Sequence, residues 1–434
     1  LFLAACGGGD DTPVAPVETG GVSPGGPNCL FNATQAGCQP GTDAPYVLWS
    51  SRSDGTVDAA VNTDVVAAMS EPLDPASVGA GSIRLAGEDG AVVSGTTSYD
   101  AGRNALVFRP GTELAPRRYT ATVDATVRDA TGTSMGRPYS WTFTVDGNRR
   151  DSEQQRSIQQ LLDKAAYTFR IPGSIIAIRD NAGNTWKTTN GYADIVMRAP
   201  IRTDMRFRIG SNTKTLVATM ILQLADAGKL SLDDPATRYV GAEMAAYLPA
   251  FNRSDITIRH LLQHTSGLPN FTVDASWGEA FISDPAKQYF PQELLLIANG
   301  LAGTPAQPAF GSFSYSNTNY ILLGLIIRKV SGMVYEDALA NAITRPWNLP
   351  ATTAPLIGEA TLPEPYSRGY WEDAETGTLH DVTVRDSSTV WSSGNVLATI
   401  DDLVRWGELL GKGTLLSAST QDQRLQFVSM GGST

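Results

Sequence analysis

Apolar and polar positions change rhythm along the chain, and each change marks a different kind of element. Residues 7–44 carry no periodic apolar pattern, only a Gly/Pro/acid run beginning GGGDDTPVAPVETGGVSPGGP, which cannot bury a core and reads as a disordered tether. Residues 45–147 consist of short runs rich in Val, Thr and aromatic side chains, broken by turn signals such as Glu88-Asp89-Gly90 and Asp100-Ala101-Gly102. The runs at 82–85, 105–108, 119–123 and 139–145 read as strands, and their spacing predicts an all-β sandwich. From 152 to 434 the pattern is mixed. A helical stretch at 157–168 precedes strand-like runs at 173–178 and 186–189, and two strongly apolar helical runs follow at 215–227 and 321–330. The first of these is apolar on nearly every face and closed by Gly228, the mark of a buried helix. A last helix-like stretch covers 421–430.

Composition agrees with several folding units. The chain has 434 residues, 42% hydrophobic and 18% charged, so most of it can bury a core, and its length suits about three units. No apolar run approaches the ~18 residues of a membrane span. The 33 basic and 44 acidic residues leave a net charge of -11 and no electrostatic footprint for nucleic acid. The imbalance is uneven: residues 7–45 hold Asp10, Asp11, Glu18 and Asp43 with no Lys or Arg, so acidity says little about a substrate. No metal site and no cofactor are expected. The histidines are His260, His264 and His380, and the first two fall about one helical turn apart without the HExxH frame of a zinc helix, so packing is their expected role.

The first six residues read LFLAAC and look like the tail of a secretory signal. Leu3-Ala4-Ala5-Cys6 resembles the bacterial lipobox, whose cysteine is lipidated; the resemblance implies an exported protein, anchored through Cys6 in the cell envelope and facing the periplasm or the cell surface. In that compartment Cys29 and Cys38 are free to form a disulfide across a short loop, or to remain thiols. Residues 45–147 are similar to the bacterial Ig-like domains of surface proteins, through Val61-Asn62-Thr63, Met69-Ser70-Glu71-Pro72-Leu73-Asp74-Pro75, Phe108-Arg109-Pro110, Leu114-Ala115-Pro116 with Tyr119, and Trp141-Thr142-Phe143. Such modules space or dock a catalytic domain, or bind carbohydrate.

The chemistry lies further on. Phe207-Arg208-Ile209-Gly210-Ser211-Asn212-Thr213-Lys214 runs into the buried helix at 215–227, which places Ser211 at its first turn. Ser211 and Lys214 are three apart and share a helix face, so the amine can reach the hydroxyl. The helix N-terminus favours an alkoxide or oxyanion. An ordinary lysine, with a pKa of about 10.4, is protonated at neutral pH, so burial or a second cation must depress this one before it serves as a base. A Ser-x-x-Lys tetrad alone is a weak signal, since an N-capping serine beside an exposed lysine looks the same. Its companion is Tyr315-Ser316-Asn317, at the head of the second apolar helix. A phenol there can relay protons and an amide can hold a substrate amide.

The two motifs, in this order and spacing, resemble the serine hydrolase family of class C β-lactamases, D-alanyl-D-alanine carboxypeptidases and related esterases. Supporting matches are Leu230-Ser231-Leu232-Asp233-Asp234-Pro235, the stretch ITIRHLLQHTSGLP from Ile256 to Pro269, Gly324-Leu325-Ile326-Ile327, Arg368-Gly369-Tyr370, and Ser393-Gly394-Asn395 followed by Ala398-Thr399-Ile400-Asp401-Asp402-Leu403. The resemblance covers residues 155 to 434 and implies an α/β fold, a helical lobe packed on an antiparallel sheet. It implies Ser211 as the nucleophile that forms an acyl-enzyme, Lys214 as general base, Tyr315 as proton relay and Asn317 as the substrate-positioning amide, with the Ser211 N–H as half of an oxyanion hole. His264 and Ser266 would shape a loop near the cleft.

One part of the family pattern is missing. A third motif, Lys/His-Thr/Ser-Gly, belongs on a sheet strand lining the cleft; Lys412-Gly413-Thr414 has the wrong order, and Glu375-Thr376-Gly377 comes too early and lacks the basic residue. The expectation is a hydrolase domain truncated at its C-terminus, with further strands in a longer protein. The expected substrate is a small-molecule or peptidoglycan-derived ester, D-amino-acid peptide or β-lactam; no nucleic acid is expected, and the sequence is silent on oligomeric state. The competing reading is a non-catalytic surface or peptidoglycan-binding protein on a disabled hydrolase fold.

Overall fold

The computed structural model describes residues 44–429 except 245, 252 and 374–376. Cys6, Cys29, Cys38 and nearly all of the tether thus lie outside the described residues. Two compact units result. One takes the described residues up to Thr203 with Glu372–Leu379, and the other takes Asp204–Trp371 with the described residues from His380 onward.

The first unit opens with eight strands: β1 (Val47–Ser50), β2 (Thr56–Ala60), β3 (Val65–Met69), β4 (Ile83–Gly87), β5 (Gly95–Asp100), β6 (Ala105–Pro110), β7 (Arg118–Val123) and β8 (Tyr139–Asp146). They form two sheets, in the orders β1-β3-β6-β5 and β2-β8-β7-β4. Only the β2/β8 pair among them is parallel. The two-residue period decides which side chains enter the core: Ile83 and Leu85 are buried, while Arg84 between them points out to Asp124 at 2.8 Å. Trp141, Phe143, Tyr119 and Leu106 fill the interior. The polar ends of the aromatics are satisfied, with Trp141 Nε1 donating to the Ser51 carbonyl and the Tyr119 hydroxyl to the Ala115 carbonyl, each at 3.1 Å.

The same unit continues past the sandwich into α1 (Glu153–Thr168), whose N-terminus is fixed by a reciprocal capping box between Ser152 and Gln155. Strands β9 (Gly173–Arg179), β10 (Thr185–Asp194) and β11 (Ala199–Pro200) follow, in the order β11-β10-β9. A buried polar network joins these elements to the sandwich. Arg52 donates from Nε to Thr63 Oγ1 at 2.8 Å and from a terminal nitrogen to Gln159 Oε1 at 3.4 Å. Gln159 and Asn190 each donate to Asp163 Oδ1 at 2.6 Å. Burial pushes Asp163 up to about 6 and pulls Arg52 down, so desolvation outweighs the attraction between them.

The second unit is mainly helical: α2 (Thr213–Asp226), α3 (Thr237–Met244), α4 (Ile258–Leu262), α5 (Ala275–Ser283), α6 (Pro291–Gly300), α7 (Asn317–Ser331), α8 (Tyr335–Leu339), α9 (Ile400–Lys412) and α10 (Ala418–Arg424). A short antiparallel pair, β12 (Phe207–Arg208) with β13 (Leu397–Ala398), leads into α2. Helix α7 is the axis of the unit. Every residue from Thr318 to Ile327 is buried, and α2, α3, α4, α6 and α8 all pack on it. Its Gly324 lies so close to the turn at Trp391–Ser393 that a Cβ there would collide with the Ser392 side chain. Gly332, in the left-handed conformation, ends the helix.

Most elements lie where the pattern of apolar positions puts them; α1 begins at Glu153 rather than 157, β10 runs on to Asp194 rather than 189, and two further elements shift. Ser211 sits in a 3-10 turn, Gly210–Asn212, that precedes α2, rather than in the first α turn. The last helix spans Ala418–Arg424, not 421–430. Ser417 caps it by accepting the Thr420 N–H while donating to the Asp226 carboxylate at 2.6 Å, which starts the helix earlier than its apolar residues suggest.

Candidate active site

Four side chains from two helix starts meet at one point. The 3-10 turn before α2 presents Ser211, and its Gly210 adopts a positive φ of 52° to make that turn. One turn on, Lys214 is buried on α2, with its Nζ 3.0 Å from Ser211 Oγ. The segment that opens α7 supplies the other two: Tyr315 OH lies 2.6 Å from Ser211 Oγ, and Asn317 Oδ1 accepts from Lys214 Nζ at 2.8 Å. A third contact of Lys214 Nζ, at 2.7 Å, goes to the Ser393 carbonyl. Ser211, Lys214, Tyr315 and Asn317 are therefore brought together.

Burial pulls Lys214 down to about 7, so a large fraction of it is the free amine near neutrality. The free amine has two N–H groups and one lone pair. The Asn317 oxygen and the Ser393 carbonyl can only accept, so they take both N–H groups. The lone pair then faces Ser211 Oγ, the arrangement a base needs to withdraw the serine proton. Tyr315 differs from the lysine: burial pushes its phenol up, so it stays protonated near neutrality and can donate and relay, but does not serve as a standing anion. Its ring lies under the lysine, 4.8 Å from Nζ to the centroid.

The stretch from His264 to Thr272 holds the start of α7 in place. His264 Nδ1 accepts the Ser316 N–H at 3.1 Å, and the imidazole stacks on Tyr315 with centroids 4.5 Å apart. Burial, then the charge of Lys214, pull His264 down to about 3, so it is a neutral acceptor. Ser266 donates to Asn319 Oδ1 at 2.6 Å, and the Pro269 carbonyl accepts from Ser316 and Thr318 hydroxyls at 3.1 and 2.6 Å. Asn270 Oδ1 accepts the Asn317 N–H at 3.0 Å. His260 is spent on its own helix, pairing with Thr257 at 2.9 Å.

Three contributors were not legible as site residues. Ser393 acts through its carbonyl, although its Ser-Gly-Asn segment stands out in the sequence. Asn270 and Thr272 follow directly on HTSGLP, and that adjacency was the only signal available. Of the tripeptides weighed as a third motif, Gly413 merely ends α9 in the left-handed conformation, and Glu375 and Thr376 lie outside the described residues.

Comparison with known proteins fits this geometry. The family profile described as Beta-lactamase matches residues 155–433, and the one described as Bacterial Ig-like domain matches 41–145. The chain is 29% identical over 291 residues to Penicillin-binding protein 4* of Bacillus subtilis, a match covering 64% of this chain and 60% of that protein. Among solved structures, a D-stereospecific amidohydrolase from a Streptomyces species superposes with a TM-score of 0.53 at 31% identity, covering 60% of this chain and 74% of that one. The D-amino acid amidase of Ochrobactrum anthropi in complex with D-phenylalanine gives 0.53 at 28%, covering 62% and 74%. With the matched profile spanning the Ser-x-x-Lys turn, the Tyr-x-Asn helix start and the lysine-contacting turn near Ser393, the chain belongs to the Beta-lactamase family and carries a bacterial Ig-like domain ahead of that region.

Proposed function

We propose that the protein is an acyl-transfer serine hydrolase acting on amide-type carbonyls. The observation that carries this reading is the contact set of Lys214, which leaves its lone pair on Ser211 Oγ. In the proposed reaction Lys214 takes the Ser211 proton as Oγ bonds to the substrate carbonyl carbon. The C–N bond then breaks, with the proton reaching the departing amine through Tyr315 OH. Water, deprotonated through the same pair, attacks the Ser211 ester and releases the acid. The names of the similar structures, a D-stereospecific amidohydrolase and a D-amino acid amidase, support D-amino-acid amides or peptides as the first substrates to try, with peptidoglycan-derived peptides, esters and β-lactams next.

The LAAC stub and its Gly/Pro/acid tether support a second element of the proposal, an exported protein anchored in the envelope by a lipid on Cys6. Metabolic labelling with an alkyne fatty acid, lost in Cys6→Ser, is the expected result; equal labelling of both forms would remove the anchor.

The catalytic proposal is tested with a fluorophosphonate probe, a fluorescent penicillin and a panel of D- and L-amino-acid amides. The expected result is one adduct, on Ser211, absent in Ser211→Ala, with D-amides hydrolysed faster. No adduct with either probe and no turnover would favour a binding protein on the same fold.

A further inference from the structure

We propose that Asn270 is a positioning residue for the base: it fixes which way the Asn317 amide faces, and so keeps the Lys214 lone pair on Ser211. The inference rests on the hydrolase reading above and adds to it a residue outside both motifs.

An asparagine amide can be turned end for end with little change of shape, so its direction must be fixed by its partners. Two backbone donors fix Asn270. The N–H groups of Asn317, at 3.0 Å, and of Thr272, at 3.4 Å, both point at the same side-chain atom, which must therefore be the oxygen. That oxygen also receives Asn317 Nδ2 at 3.2 Å, and Thr272 Oγ1 receives it at 3.2 Å as well. With its nitrogen held by two acceptors, Asn317 turns its oxygen to Lys214 Nζ at 2.8 Å.

The direction matters chemically. With its oxygen facing the amine, Asn317 consumes an N–H of Lys214. Reversed, its NH₂ group would donate to the lysine lone pair, and the base would have nothing left for the Ser211 proton. Both nitrogen donors of Asn317 are meanwhile occupied within the protein, so in this conformation the residue orients the lysine rather than a substrate carbonyl.

The titratable groups facing Lys214 are Tyr315 and Tyr320, with ring centroids 4.8 and 5.4 Å from Nζ, and neutral His264. Burial is what lowers the lysine pKa. A carboxylate at position 270, relayed through Asn317, would thus add a new charge beside a poorly solvated amine.

The test follows fluorophosphonate labelling of Ser211 against pH in the unsubstituted chain, Asn270→Ala and Asn270→Asp, with thermal unfolding of each. Asn270→Ala frees the amide to turn, and labelling at pH 8 is expected to slow by about tenfold or more. Asn270→Asp keeps shape and acceptor, and the pH midpoint is expected to rise by about one unit. Parent-like rate in the first and an unmoved midpoint in the second would overturn the role while leaving Ser211 as nucleophile. If Asn270→Ala fails to fold, the midpoint of Asn270→Asp decides alone. If the unsubstituted chain takes no probe, the hydrolase reading fails by itself, and Lys214 still reports on Asn270 through its acetylation by acetic anhydride against pH. Coincident curves for the parent and Asn270→Asp would then reject the positioning role; a shifted curve would support it.

Discussion

The His264 imidazole stacks on the Tyr315 ring while its Nδ1 accepts the N–H of Ser316, so one neutral side chain fixes both a ring and the backbone beside it. Histidine is the usual suspect for any titration near pH 7. Here His264 is held down to about 3 and Lys214 is brought to about 7, so the lysine owns that inflection. The base must be unprotonated, and labelling of Ser211 should therefore fall as pH drops through about 7 and level off above it. His264→Asn retains an acceptor for Ser316 and tolerates the positive φ of 56° at that position, so it should slow labelling without moving the midpoint. Lys214→Ala should remove the pH dependence along with at least about 100-fold of the rate. A midpoint that vanishes in His264→Asn and persists in Lys214→Ala would reverse the assignment.

Tyr315→Phe deletes the hydroxyl 2.6 Å from Ser211 and leaves the ring stack on His264 intact. Because the phenol serves as donor and relay, the loss should fall on steady-state turnover of amides by about 100-fold or more. Labelling by a fluorophosphonate, whose fluoride leaves without needing a proton, should suffer less. Equal losses in both assays would count against the relay.

Gly324→Ala places a methyl group against Ser392, whose hydroxyl donates to the Tyr320 carbonyl at 2.9 Å and whose neighbour Ser393 supplies the lysine-binding carbonyl. Overpacking of this kind costs about 1–3 kcal/mol. The expected result is a lower midpoint of thermal unfolding together with slower Ser211 labelling. A substitution that destabilises and leaves labelling untouched would show that the Ser393 carbonyl is not held by α7.

Asp163 gives a stability prediction of opposite sign to that of most carboxylates. Its folded pKa of about 6 exceeds the ordinary aspartate value of 3.8, so its contribution is fully present below the unfolded pKa and is lost as pH rises through 6. At 1.36 kcal/mol per pKa unit the loss is at most roughly 3 kcal/mol. Asp163→Asn cannot ionise. Relative to the unsubstituted chain it should compare least favourably near pH 4, where the parent keeps the neutral acid, and most favourably near pH 8, as read from urea midpoints. Parallel pH curves for the two proteins would show that Asp163 does not titrate there.

The sequence made plain those features that leave a mark on residue type. Two helices that are buried all round read as such because burial excludes charge from every face, and the two polar motifs stand out at their starts. The strand pattern of β4, β7 and β8 is legible for the same reason, since alternate residues of each face an apolar interior, and that of β6 because Ala105 to Phe108 are buried on both faces. The rest of the site is not a matter of residue type. Ser393 contributes a backbone oxygen, 179 positions away from Lys214, and every residue carries such an oxygen. Asn270 is informative only through the direction of its amide, which depends on two N–H groups supplied by the fold. The same limit explains Ser211, whose 3-10 turn is set by Gly210 and by the approach of β12, not by the periodicity of the helix that follows.

Arg52 lies in the β-sandwich, Gln159 and Asp163 on the helix that follows it, and their shared network means that the Ig-like segment is not interchangeable cargo. Cutting between Asp146 and Glu153, where the sequence suggests a seam, would strip the polar face of α1 and β10 of its cation and its cover. An inherited swap of the Ig-like segment would have to bring replacements for Arg52 and Thr63, or rewrite Gln159, Asp163 and Asn190 together. Lineages that keep these five positions should therefore pass the two segments on as a single heritable block.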